Sequence, residues 1–370
     1  MDNTFVDDSD ILSNPEKRSG VEERWASFQP YLLSKGYRLR PRYQPDWVPS
    51  WRDTDMDPLV CEDSIDSMPI RVLDAVRVRD ERQVIIKMIL PSQGREGEEE
   101  LSVLQYFSTP PLKDDPSNHV VPCLDSFPIP GAGFGHFVVM PLLGQYNEPP
   151  FHNLAELHDF LQQLFEGLSF MHKNNVAHRD IALPNVMMDS RALYGEPPHP
   201  VRQRLSMDIR RIIYPRYMRL EKHTRYYFID LGFAKWFRDP TVPRITTGWQ
   251  ARERAPEQRR GEPYNPFLAD IYQLGIMLRQ DVIPQVNGLR FLNPLAIEMT
   301  QTNPMARPSL ENARSMMNTA FLGLSGWRYR WPIAPNEVGL RTRLIYVIWG
   351  VTSEIQFWLR RILQLFRKRL

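Results

Sequence analysis

Asp180 and Asn185 stand five residues apart in the stretch His178-Arg179-Asp180-Ile181-Ala182-Leu183-Pro184-Asn185, and a second aspartate, Asp230, ends the β-prone run Tyr226-Tyr227-Phe228-Ile229. A carboxylate on a short loop can accept the proton of an attacking hydroxyl, while a carboxamide and a further carboxylate offer oxygen ligands to a hard cation such as magnesium. Such a set suits phosphoryl transfer, where positioning and charge stabilisation supply most of the catalysis. A match this short arises by chance, so its neighbours decide.

Those neighbours follow a recognisable order. Val84-Ile85-Ile86-Lys87 is a β-prone run carrying a lysine, and Glu100 leads Leu101-Ser102-Val103-Leu104 into a helix. Downstream come Asp230-Leu231-Gly232, Ala255-Pro256-Glu257, Asp270-Ile271-Tyr272-Gln273-Leu274-Gly275 and Arg307 within Ala306-Arg307-Pro308-Ser309. The set resembles the protein-kinase family over residues 41–320, in the manner of divergent fungal kinase-like proteins. That resemblance implies an α+β, two-lobed protein kinase-like fold with a small β-rich N-lobe and a larger α-helical C-lobe. Its divisions would be an N-terminal extension 1–40, an N-lobe 41–140, a hinge 141–144, a C-lobe 145–320 and a tail 321–370.

The resemblance also implies roles. Lys87, held by Glu100, would position the α and β phosphates of ATP, Asn185 and Asp230 would hold Mg2+, and Asp180 would orient the acceptor hydroxyl of a protein substrate. Val72 and Ile85 would pack on the adenine. Met140 would be the gatekeeper, with Pro141 lending a carbonyl and Leu143 an N–H. His178 is a packing residue in this scheme, Glu257 and Arg307 form an ion pair, and Arg179 stands ready for a phosphate on Thr241, Thr246 or Thr247.

Three departures separate this chain from the family pattern. Glycines are expected at 65, 67 and 70, where Ile65, Ser67 and Ile70 stand, with Asp66 and Pro69 between them. Glycine lets backbone approach phosphate oxygens closely. Ile85 replaces the alanine packed on adenine, and Ala182 and Pro184 occupy the loop positions where kinases carry a lysine or arginine. The leading reading is a protein kinase acting on serine or threonine. A pseudokinase scaffold is the alternative, and a small-molecule phosphotransferase is disfavoured by Glu257 and Arg307.

The elements that must position these residues are legible as patterns. Trp25, Phe28, Tyr31 and Leu32 mark an amphipathic helix ending near Gly36, and residues 72–78 and 83–89 read as a hairpin. The charged run Arg95 to Glu100 opens a helix through Phe107. His119-Val120-Val121-Pro122 and His136 to Met140 read as two further strands joined by the glycine-rich turn 131–135. Leu157, Leu161, Leu164, Leu168 and Met171 give a core-facing stripe on a helix from Leu154 to His172. Trp47 and Trp51 read as cover for the small lobe.

An insertion at 190–225 holds nine Lys or Arg against three Asp or Glu and reads as a solvated basic loop. Nucleic acid is not an expected partner.

Composition, with 42% hydrophobic and 24% charged residues and a net charge of +2, fits a globular cytoplasmic protein. The acidic start Met1 to Asp8 lacks a secretory pattern, and Cys61 and Cys123 give neither a disulfide framework nor a zinc spacing. Residues 341–370 carry seven Lys or Arg against the single Glu354, which makes the tail +6 and the rest of the chain −4. Ile348, Ile355, Trp358, Ile362 and Phe366 recur there at helical spacing. The uncharged run Leu344 to Ser353 is too short for a membrane span, so the tail is expected to meet a membrane surface or a protein partner, or to pack on its own chain.

Overall fold

The computed structural model describes residues 15–66, 70–90, 97, 99–239, 241–286, 288–333 and 339, with single positions from 344 to 362. The acidic start, Ser67, Pro69, Arg95, Arg360, Arg361, Phe366, Arg367, Lys368 and Arg369 lie outside the described residues. With 41% of residues helical and 15% in strands, the fold is mixed α/β. It divides into two compact units. The first comprises Met1–Arg95, Val121–Gly144 and Asp189–Tyr217, the second Glu96–Val120, Gln145–Met188 and Met218–Leu370.

The first unit is built on an antiparallel sheet of β1 (Tyr37–Arg38), β2 (Val72–Arg77), β3 (Arg82–Ile89), β4 (Asp125–Pro128) and β5 (His136–Pro141), in the order β1-β2-β3-β5-β4. Side chains alternate faces along each strand. Val84, Ile86 and Met88 of β3, with Leu73, Ala75, Phe137 and Val139, form one buried face. Helix α1 (Gly20–Ser34) covers that face, opened by a capping box between Ser19 and Glu22. Trp25 and Leu32 are fully buried there, and Phe28 sets its ring edge-on to Phe137 at 5.2 Å. The N-terminal extension is therefore part of this core. Val72, Lys87 and Val138 lie opposite one another on the other face, beside Ile85 and Met140.

Two expectations fail in this unit. The strand expected at 119–122 forms at Asp125–Pro128, because His119 is tied elsewhere and Pro122 has no N–H to give a ladder. The insertion is not a solvated loop either. Leu193 and His199 are fully buried, and Ile209 and Ile213 nearly so. His199 Nε2 lies 3.1 Å from Glu62 Oε1, which also accepts Arg40 Nη1 at 3.0 Å, while Arg40 Nε bonds Asp74 at 2.9 Å. Gln83 of β3 reaches the Pro198 carbonyl at 2.9 Å. Isolated anchors among nine basic residues carry no periodic signal, which is why composition misled.

Trp51 is buried, and Trp47 donates its indole N–H to Asp63 at 2.9 Å. The tryptophans serve packing.

The second unit holds α2 (Glu100–Phe107), α3 (Leu154–Lys173), the short strands β6 (Val176–Ala177), β7 (Val186–Met188), β8 (Tyr226–Phe228) and β9 (Lys235–Trp236), and α4 (Pro266–Ile276). The Leu157 to Met171 stripe of α3 is buried throughout. Its start is capped by Asn153, whose side chain accepts the Glu156 N–H at 3.0 Å. β7 pairs with β8 and β6 with β9, both antiparallel. No helix of the described residues is long and apolar enough to cross a membrane.

The Arg40–Asp74 pair yields a stability prediction. Asp74→Ala leaves a guanidinium buried beside fewer acceptors, and breaking such a pair costs about 3 kcal/mol. Urea unfolding should show that loss as a lower midpoint with an unchanged slope.

Candidate functional site

The loop that carries Asp180 hangs from one buried carboxylate. Asp270 on α4 is fully enclosed; Oδ2 accepts the His178 N–H at 2.9 Å and Oδ1 the Arg179 N–H at 2.7 Å. His172 on α3 adds its Nε2 at 2.9 Å from Oδ2. Gln273, one turn along α4, takes the Ile181 N–H on its Oε1 at 2.9 Å and donates to the Arg179 carbonyl at 3.1 Å. Three backbone N–H groups and one carbonyl of the sharp turn are thus answered from α4, with His172 of α3 holding Asp270 in turn. Arg179 sits at φ +70°, a left-handed conformation that a side-chain-bearing residue holds only when its surroundings impose it.

His178 is fully buried; its Nε2 donates to the Ile229 carbonyl at 3.1 Å, and its Nδ1 accepts the Asp180 N–H at 3.3 Å. The ring links the Asp180 loop to the strand end before Asp230. A second link runs from the Ile229 N–H to the Asn185 carbonyl at 2.9 Å. Asn185 and Asp230 are thereby brought together. Asp230 itself is left-handed, at φ +58°.

Both oxygens of Asp180 are engaged. Oδ2 accepts Asn185 Nδ2 at 2.8 Å, and Oδ1 accepts the backbone N–H of Arg252 at 2.7 Å. Asn185 also donates to the Asp180 carbonyl at 2.9 Å, so both of these bonds use its Nδ2. Glu100 is buried at the start of α2 and faces the same loop. A Cβ added to Gly232 would meet Asp230 Oδ1 at 3.3 Å and Glu100 Oε2 at 3.7 Å, so two carboxylates converge on one glycine. The Gly97 N–H bonds the Gly232 carbonyl at 2.9 Å.

The segment beyond Asp230 is fastened by Arg179. Its guanidinium donates to Tyr264 OH at 3.1 Å, to the Phe233 carbonyl at 3.1 Å and to the Thr247 carbonyl at 2.9 Å. Gly248, at φ +112°, has no Cβ to collide with Arg179 Nη2, which would lie 2.7 Å away. Glu257 and Arg307 form the bidentate pair read from the sequence, at 2.6 and 2.7 Å.

Several cations of the segment after Asp230 are committed. Lys235 pairs with Glu99 at 2.7 Å, Arg244 bonds Asn175, and Arg254 lies over the Trp249 ring at 4.2 Å. Arg252 is exposed, and its side chain makes no ion pair among the described residues. Arg252, Gln273 and His172 escaped sequence reading. For Arg252 no residue-type signal exists, since its contact is made by backbone.

In the first unit, Val72, Ile85 and Lys87 share the sheet face away from α1, and Pro141 ends β5. The Leu143 carbonyl accepts a hydrogen bond from Gln203 Nε2 at 3.0 Å. A Cβ on Gly144 would stand 2.7 Å from Ser190 Oγ, so the insertion lies directly on residues 143–144. At the expected glycine loop, the Ile65 and Asp66 carbonyls are held by Arg40 at 3.1 and 3.2 Å, and burial pushes the Asp66 carboxyl above its usual range.

Among the described residues no group of three or more His, Cys, Asp or Glu is placed to hold a metal ion. Asn185 and Asp230 offer two oxygen ligands, the number expected where phosphate oxygens and water complete a magnesium shell.

A cavity of about 220 Å³ in the second unit, lined by His119, Asp159, Gln163, Glu166, His223 and Arg225 among others, contains none of these residues.

No protein-family model matches the chain, and no curated protein is similar to it.

His119 borders that cavity and yields a pH prediction. Burial, aided by Arg225, brings its pKa down to about 4, below the ordinary value near 6.5. The unfolded chain therefore binds the extra proton first, so stability is complete above about pH 6.5 and is lost as the pH falls toward 4. The limiting loss is about 3 kcal/mol. His119→Asn, which keeps a donor for the Tyr226 carbonyl, should flatten urea-unfolding free energies measured across that window.

Proposed function

We propose that the chain is an ATP- and Mg2+-dependent protein kinase that transfers the γ-phosphate of ATP to a protein hydroxyl, on serine or threonine. The observation carrying this reading is the Asp180 carboxylate, held at one oxygen by Asn185 and at the other by Arg252, on a loop suspended from buried Asp270. A carboxylate with a fixed rotamer is what orienting an acceptor hydroxyl requires. Asn185 and Asp230 would hold Mg2+, which would supply positive charge to offset the charge developing on the transferred group. Glu100 and Lys87 would serve the α and β phosphates. Val72 and Ile85 would pack on the adenine, with Pro141 offering a carbonyl and Leu143 its N–H, its own carbonyl being taken by Gln203. The bidentate Glu257–Arg307 pair supports a protein substrate over a small molecule.

Arg252 completes the proposal. The loop has Ala182 and Pro184 where a cation would stabilise the transferring group, and the Arg252 N–H already touches Asp180. Its guanidinium, whose charge also acts on the Asp281 carboxyl, is within an arginine's reach of the same place, and we assign it that role.

A second reading, a pseudokinase scaffold, is favoured by Arg40 holding the carbonyls of Ile65 and Asp66 where a flexible glycine loop would cradle phosphate. The cytoplasm is the proposed location.

Two experiments test the proposal. Mg-ATP should bind saturably in calorimetric titration, Asp230→Ala should abolish that binding, and Asp180→Asn should leave binding intact while removing transfer. Absence of binding at millimolar nucleotide would establish the scaffold instead. For Arg252, Arg252→Gln should lower kcat about 100-fold with the KM for ATP within about twofold, and Arg252→Lys should restore most of it. Equal rates for Arg252→Gln and wild type would remove that role.

A further inference from the structure

The C-terminal tail carries an exposed apolar row that the proposed catalysis leaves unused. All described positions from 344 to 362 are helical, and Leu344, Ile348, Val351, Ile355, Leu359 and Ile362 are between 46% and 61% exposed. At 3.6 residues per turn these six fall within an arc of roughly 80°. A helix over these 19 positions would be about 28 Å long. Contiguous exposed apolar surface of this kind marks an interaction site.

The helix is oriented by contacts on another flank. Gly350 is buried against Trp331, where an added Cβ would lie 2.7 Å from the indole, and Glu354 forms an ion pair with Arg330 at 2.7 Å. Both positions lie roughly 100–140° round the helix from the centre of the apolar row. The row therefore faces away from the residues that anchor the helix.

Charge identifies the occupant. Residues 341–370 carry seven Lys or Arg against Glu354 alone, while the rest of the chain is net −4, so attraction to an anionic surface resides in this segment. Pairing row on row with a second copy would place two tails of +6 side by side. Trp358, 52% exposed, adds a side chain suited to the headgroup level. No described helix is long and apolar enough to span a bilayer. A basic helix with one apolar face lies in the interface plane.

We infer that the helix between residues 344 and 362 docks flat on an anionic membrane surface, its Leu344-to-Ile362 row buried among the acyl chains and its arginines on the headgroups. This inference stands apart from the kinase reading.

The test is flotation of the full chain with vesicles of phosphatidylcholine alone or with about 30% phosphatidylserine. The wild-type chain should float with the anionic vesicles, remain largely free of the neutral ones, and release as salt rises to about 0.5 M. Ile348→Asp/Ile355→Asp should reduce the bound fraction more than about tenfold with an unchanged unfolding midpoint, because both side chains are exposed. Arg360→Gln/Arg361→Gln should also weaken binding by about tenfold or more. Failure of the wild-type chain to float would overturn the inference, as would equal binding to neutral vesicles or full binding by the aspartate variant. A wild-type dimer that Ile355→Asp dissociates, without vesicle binding, would assign the row to a second copy.

Discussion

A carboxylate withdrawn from water must be answered by donors, and Asp270 is answered by two consecutive backbone N–H groups and a histidine. This constraint shapes the second unit. To offer both N–H groups to one side chain, the chain turns sharply at His178 and Arg179, forcing Arg179 into the left-handed region. Arg179 then sends its guanidinium to three carbonyl or hydroxyl acceptors on the segment beyond Asp230, and Asp180 emerges next with its carboxylate oriented. One enclosed anion on α4 thus organises two loops that are distant in sequence.

The first unit follows comparable logic with opposite charge. Arg40 is buried among Asp74, Glu62 and the carbonyls of Ile65 and Asp66. Glu62 brings in His199 from the insertion, and Gln203 of the same insertion closes on Leu143. Arg40 thereby fixes the carbonyls of Ile65 and Asp66, two of the positions at which the family pattern would have a glycine-rich loop.

How much was legible depends on whether a contact is made by a side-chain type in a pattern or by backbone. The leucine stripe of α3, the 72–89 hairpin and the α1 aromatics obey helical or strand periodicity, and they formed where periodicity placed them. Asp270, Glu257 and Arg307 were readable because each is a charged residue in a local motif. The strand placed at His119–Pro122 formed six residues later, because His119 belongs to the second unit, where it bonds the Tyr226 carbonyl. His199, Gln203 and Arg252 were invisible. The first two are single polar residues in irregular chain, and Arg252 reaches Asp180 through an N–H that nearly any residue would carry.

The insertion's place within the first unit bears on biosynthesis. Three separated stretches, the last ending at Tyr217, make up this unit. A nascent chain released only through Gly144 would possess the whole five-stranded sheet yet lack His199 for Glu62 and the Ser190–Gln203 contacts at residues 143–144. On the ribosome the first unit therefore lacks these contacts while the interior of the second unit, residues 145–188, is synthesised between its parts. The stretch made first receives its last partners only when the chain has reached Tyr217.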